Sequence, residues 1–147
     1  MGGGNIWITV KISTFIIIVA VCVAFSSGCD RATHQAVDST SITRAFEKRA
    51  RDVQVEGEGI VSRILPDDRE GSPHQRFIVR LASGQTVLIQ HNIELAPRLD
   101  GLEEGDAITF FGEYIWNSQG GSVHWTHHDP AGRHIEGWIK HKGRTYQ

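Results

Sequence analysis

The sequence predicts an all-β fold: a small five-stranded barrel preceded by one short helix. Three observations carry this. From Val53 onward apolar and polar residues alternate with a period of two. Clusters of Gly, Pro, Asp, Asn and Ser interrupt that stretch at short intervals, as turns do. The chain has 147 residues, room for one domain, and closing a small sheet removes edges that would otherwise aggregate.

Residues 1–28 read as a signal peptide. Ile12–Phe25, "ISTFIIIVAVCVAF", is an uncharged run of 14 residues preceded by Lys11. A membrane-spanning helix needs roughly 20 apolar residues, so the run suits a signal core better than a span. An uncleaved N-terminal anchor is the alternative. "FSSGCD", Phe25–Asp30, then resembles a bacterial lipobox. That resemblance implies cleavage between Gly28 and Cys29 and lipidation of Cys29, with several acyl chains giving stable attachment to the membrane. The chain would then face the periplasm from the cell envelope, and Asp30 resembles an inner-membrane retention signal. The two cysteines are Cys22 and Cys29. A mature domain therefore has no thiol for a disulfide, a zinc site or nucleophilic attack.

Residues 29–52 read as a polar tether. Within it Ser41–Arg51 has the pattern of a short helix, with Ser39 or Thr40 as cap and Ile42, Ala45, Phe46 and Arg49 on one side. Residues 53–147 supply the barrel. "VQVEGEGIVSRIL" is a long first strand, with Gly57 and Gly59 marking a bulge or bend. "PDDREGSPHQ" is a loop, "RFIVRL" places Phe77, Val79 and Leu81 on one face, and "QTVLIQH" follows a short turn. "APRLDGLEEGD" is a connection with at most one helical turn. "AITFFGEYIW" is the fourth strand, "NSQGG" a hairpin turn and Ser122–His127 the fifth strand; "EGWIKHKGRTYQ" adds a short one. An open antiparallel sandwich shares this periodicity and is the rival architecture. "LEEGDAITFFGEY" resembles the fourth-strand entry of the oligonucleotide/oligosaccharide-binding fold, where a Gly-Asp turn leads into an apolar strand.

The densest chemistry is "HWTHHDP", residues 124–130. On a regular strand His124 and Thr126 face one way and Trp125 and His127 the other, so the histidines share a face only if the strand breaks. His127 and His128 fall toward the exposed strand end, and His124 sits mid-strand. Imidazole and carboxylate together suit a divalent transition metal, and His124, His127, His128 and Asp129 are the candidate ligands. No spacing here matches an established metal signature. His74, His91 and Asn92 fall at strand ends that converge on the same rim. With Trp125 and Trp138 they extend the candidate ligand-binding set to His74, His91, Asn92, His124, Trp125, His127, His128, Asp129 and Trp138. The competing reading is structural: histidines at strand ends often hold loops closed through backbone bonds, while tryptophans fill the core.

Charge bounds the partners. The formal net charge is −2, from 15 basic and 17 acidic residues, so no global field draws in a polyanion. From Asp52 to Glu113 there are 12 acidic and 5 basic residues, a surface that repels phosphates. Arg133, Lys140, Lys142 and Arg144 form a basic end that reads as solvated. Nucleic acid is disfavoured; a small molecule or a protein, besides the membrane, is the expected partner.

The blocks "GIVSRILPDD", "HQRFIVRL", "HNIELAPR", "GDAITFFGEYIWN", "GGSVHWTHHDP" and "GWIKHKGRTYQ" together resemble a bacterial family, domain of unknown function 3465, from about Val55 to Gln147. The resemblance implies a small secreted or lipid-anchored β domain and implies no activity. The expectation is a non-enzymatic envelope lipoprotein whose small barrel binds a ligand through a rim rich in His and Trp. The alternative is a metal-dependent hydrolase, a nuclease or phosphoesterase, built on the "HWTHHDP" cluster.

Overall fold

The period-two stretches become strands, and one long strand closes them on themselves. The computed structural model describes residues 1–3 and 40–147. The apolar run, the lipobox and Cys29 lie outside the described residues. Helix α1 (Thr40–Glu47) is followed by β1 (Arg51–Asp68), β2 (His74–Arg80), β3 (Thr86–Asn92), β4 (Ala107–Ile115), β5 (Ser122–His124), β6 (Trp138–His141) and β7 (Arg144–Tyr146).

The first half of β1 pairs with β4 and the second half with β2, and Ile60 stands opposite both Ala107 and Arg80. The order β1-β2-β3-β5-β4 therefore returns to β1, and five strands form a closed ring in which β3 and β5 run parallel. An open sandwich is excluded by that closure. Register shifts in the β1–β2 pairing fall between Val61 and Arg63 and between Leu65 and Asp68. The second spans Pro66, which has no amide to donate to a ladder.

Alternation along each strand sends one set of side chains inward. Phe77, Val79, Ile89, Phe110, Tyr114 and Val123 are completely buried there, each worth about 1.5–3 kcal/mol of burial. The Tyr114 hydroxyl, which burial would otherwise strand, donates to the Gly120 carbonyl at 3.1 Å.

Helix α1 ends earlier than Arg51. Arg49 turns left-handed (φ 51°), and the amides of Arg49 and Ala50 bond back to the carbonyls of Phe46 and Ala45, a C-terminal cap that frees Arg51 to start β1. The helix docks through Ile42 and Ala45. Gly57 makes this docking possible: a Cβ there would lie 2.5 Å from Ile42 Cδ1 and 2.6 Å from Phe110 Cζ.

Several elements differ from the sequence reading. Residues 51–52, expected in the tether, and 66–68, expected in the loop, belong to β1, and residues 74–75 of that loop belong to β2. Strand β5 stops at His124 rather than His127, because Trp125 adopts φ 51° and ends the pleat. The C-terminal segment forms a hairpin of two strands rather than one, β6 pairing with β4 and β7 with β6. The connection between β3 and β4 opens on a single turn, in which the Ala96 amide donates to the Asn92 carbonyl at 3.2 Å. Beyond it the buried Gln75 amide holds the chain, accepting from Leu99 N at 2.9 Å and donating to Leu99 O at 3.2 Å.

Candidate functional site

The chain break at Trp125 begins a rim loop, residues 125–137, that folds back over one end of the ring. Contacts within the loop and one to β4 hold it. The Trp125 ring stacks on His134 with centroids 3.6 Å apart, and His134 Nδ1 lies 3.3 Å from Glu113 Oε2 on β4. The Gly137 amide donates to the His127 carbonyl at 3.0 Å. Gly137 must be glycine for space, since a Cβ would strike the carbonyl oxygens of Trp125 and Phe111. A left-handed bulky residue costs roughly 1–2 kcal/mol, and these contacts offset it.

Beneath the loop lies His91, fully buried at the end of β3. Burial, followed by the nearby His127 and His74, lowers its pKa to about 4, so the ring is neutral at physiological pH. A neutral ring has one donor and one acceptor nitrogen. Nε2–H donates to the Pro97 carbonyl at 3.1 Å, and Nδ1 accepts from the Thr126 hydroxyl at 2.9 Å. Both nitrogens are used, so His91 supports the site from below and offers nothing to a ligand.

Above it a pocket of about 320 Å³ opens at the rim, lined by Ser72, His74, Asn92, Leu95, His124, Trp125 and His127. Five residues of the expected ligand-binding set line it: His74, Asn92, His124, Trp125 and His127. Each imidazole spends one nitrogen on the protein. His74 Nδ1–H donates to Ser72 O at 2.7 Å and His127 Nδ1–H to His128 O at 2.7 Å. Burial, then the neighbouring His74, holds the His124 pKa below its ordinary value, so neutral His124 accepts the Gln90 amide at Nε2 (2.7 Å). Among the described residues no partner takes the remaining nitrogens, Nε2 of His74 and of His127 and Nδ1 of His124. The Asn92 carbonyl oxygen caps the amides of Glu94 and Leu95, at 2.9 and 3.3 Å, which leaves its NH₂ as a donor.

The other expected residues stand elsewhere. His128 is exposed and meets Glu136 at 2.6 Å. Asp129 turns its carboxylate inward to accept from the amides of Ala131, Arg133 and His134, which hold its pKa below the usual range. Trp138 stacks on Phe111 across the β4–β6 pair, with Lys140 4.4 Å above it. The expectation that His127 lies at an exposed strand end is corrected: it is 3% exposed, packed between His91 and Trp125 at 6.4 and 5.3 Å. Among the described residues no group of three or more His, Cys, Asp or Glu side chains converges to hold a metal. The four candidate ligands are not brought together, because Asp129 and His128 point to other partners.

Sequence reasoning missed Thr126 and Gln90. Gln90 was legible from alternation, since β3 turns it to the face opposite His91. Thr126 had no such signal. A larger hollow of about 560 Å³ lies between Ile60, Leu81, Ala82, Ala107 and Ile108. Glu58, Arg80 and Thr109 also line it, and it lies away from the clustered histidines.

A family model described as a protein of unknown function (DUF3465) matches residues 19–147. No curated protein and no solved structure matches the chain.

Proposed function

Since the chain belongs to this family, DUF3465, and the family description carries no activity, we propose from the site itself that the protein is a binding module of the cell envelope. Its rim pocket receives an uncharged polar ligand. The carrying observation is the pocket's lining: three half-committed imidazoles, the Asn92 amide and the Trp125 ring, with no carboxylate among the lining residues. Imidazole nitrogens and an amide offer both donors and acceptors without fixed charge. At about 320 Å³ the pocket is near the small end of ligand sites, roughly 300–1,000 Å³.

Hydrolysis is less well supported. A one-metal mechanism needs about three protein ligands and an open position, and the Asp129 carboxylate is already satisfied by three backbone amides. The envelope placement rests on the apolar run and the lipobox-like "SSGC", and with it the membrane is a partner through Cys29. Among the described residues no helix is long and apolar enough to cross a membrane.

The test is a nuclear magnetic resonance screen of neutral, anionic and cationic fragments that follows the imidazole signals. Neutral polar fragments should shift His74, His124 and His127 while leaving His141 unmoved. A screen in which no fragment perturbs these three rings overturns the pocket as a binding site.

A further inference from the structure

Cations crowd the end of α1 and the start of β1. Arg44, Lys48, Arg49 and Arg51 are all exposed, and among the described residues none of them forms an ion pair. We infer that this patch rests on anionic phospholipid headgroups, so that the anchored domain lies against its membrane in one orientation. The inference rests on the reading of Cys29 as a lipid anchor and is independent of the ligand pocket.

Local structure gathers the four side chains. Ile42 and Ala45 dock α1 on the ring, so Arg44 and Lys48, four positions apart, share the outward side. Arg49 leaves from the cap turn, its guanidinium 5.2 Å above the half-buried Trp116 ring. Arg51 opens β1 opposite Ile115, and the Trp116 amide donates to the Ala50 carbonyl at 3.0 Å, which ties the end of β4 to the patch. Trp116 also stacks on Phe46, with centroids 6.4 Å apart. A tryptophan among cations suits the headgroup level, where an amphipathic ring and a positive charge both find partners. The helix dipole favours cations at the end of α1, but it does not account for Arg51, which lies beyond it on β1.

Charge and chain length select the membrane. Within residues 44–52 the carboxylates are Glu47 and Asp52, so cations are in excess there. From Asp52 to Glu113 acidic residues outnumber basic ones 12 to 5, so an anionic surface attracts this end and repels the rest. Ten residues separate Cys29 from Thr40, and the chain between them reaches at most roughly 40 Å. Anchoring therefore supplies the encounter, and docking becomes an intramolecular step. Salt screens charges beyond about 8 Å, so only side chains at the surface count. Each such Lys or Arg strengthens attachment by about fivefold. The other basic region is more committed. Lys142 lies 3.1 Å from Asp106, Lys140 sits over Trp138 and Arg144 over Tyr146.

The test is amine footprinting of the full lipidated chain, reconstituted in vesicles of phosphatidylcholine alone or mixed equally with phosphatidylglycerol. Acetic anhydride is uncharged and modifies both Lys48 and Lys140, and mass spectrometry reads their relative rates. In the anionic vesicles Lys48 should react at least about fivefold more slowly relative to Lys140, and high salt should restore it. Arg44→Gln combined with Arg51→Gln removes exposed charge without touching the core, and should make Lys48 react nearly alike in both vesicles. Arg51→Gln alone should give part of that change. Equal Lys48 rates in the two vesicles, with the chain floating with each, overturn the docking and leave the anchor in place. Protection that survives the double variant overturns it as well, and slowing of Lys140 instead overturns the choice of face. A chain that does not float with phosphatidylcholine vesicles overturns the anchor, and the docking with it.

Discussion

The Thr126 hydroxyl donates to His91 Nδ1 at 2.9 Å, joining residues 35 positions apart that are both fully buried. This bond fastens the chain just after the break at Trp125 to the end of β3, and so sets the floor of the pocket. Thr126→Val keeps the shape and removes the donor, leaving a buried acceptor unpaired at about 1–3 kcal/mol. Thr126→Ser retains the hydroxyl and should be the milder change of the two. Chemical denaturation measures both, and a valine variant as stable as the parent contradicts the role.

Stability should fall as pH drops from about 6.5 toward 4. The folded pKa of His91 is lowered to about 4, whereas an unfolded histidine titrates near 6.5. Between those values the unfolded state binds more protons, so unfolding becomes easier with acid. The full effect is present above the unfolded pKa and is worth about 3 kcal/mol. His124, shifted in the same direction, adds to it. The Asp106 carboxyl, lowered to about 2 chiefly by the Glu103 amide and then His141, gives a second loss below about pH 4. Denaturation profiles at a series of pH values check this, and His91→Gln should flatten the upper part of the slope.

Among the clustered histidines, His127→Ala should cost most. Its ring is buried between His91 and Trp125 and satisfies the His128 carbonyl, so its loss costs about 1–3 kcal/mol. His124→Ala should cost less, since the half-buried Gln90 amide can turn to water. His128→Ala should be nearly silent, because its contact with Glu136 is exposed on both sides and such surface contacts contribute little. Thermal melts of the three variants rank them, and a destabilised His128→Ala would reverse the assignment.

Asp129 is a loop staple, so Asp129→Ala should lower the melting temperature by several degrees. Asp129→Asn keeps one acceptor oxygen for the amides of Ala131, Arg133 and His134 and should recover part of the loss. Were Asp129 a metal ligand instead, both variants would melt like the parent in a chelator.

Lipidation is checked at Cys29, which lies outside the described residues. Metabolic labelling with a radioactive fatty acid should mark the parent chain, while Cys29→Ser should be unlabelled and unprocessed. An unlabelled parent removes the lipid anchor.

Much of the rim was legible before folding. His74, Asn92 and His124 sit where strand alternation and turn positions place them, because both signals are local. His91 was legible as a rim residue but not as a buried one. Its inward turn follows from the phase of "QTVLIQH", while its neutrality comes from complete burial, and the partners of its two nitrogens, Pro97 and Thr126, are linked to it by no local pattern.

By itself the sequence determined the all-β class, the presence of a short helix, most turn positions and the long first strand, since these follow from side-chain period and backbone preference over a few neighbouring residues. Only the tertiary structure decided the end of β5. Alternation runs on through Thr126 and His127, and nothing local marks Trp125 as left-handed. That conformation is selected by partners outside the range of strand alternation: the His134 ring and the space left by Gly137 at the far end of the loop, and the His91 imidazole on β3. The same long-range packing buried His127 and turned Asp129 onto its own loop. A cluster that reads as one site in sequence is therefore divided in space, with His124, Trp125 and His127 at the pocket, Asp129 in its loop and His128 in solvent.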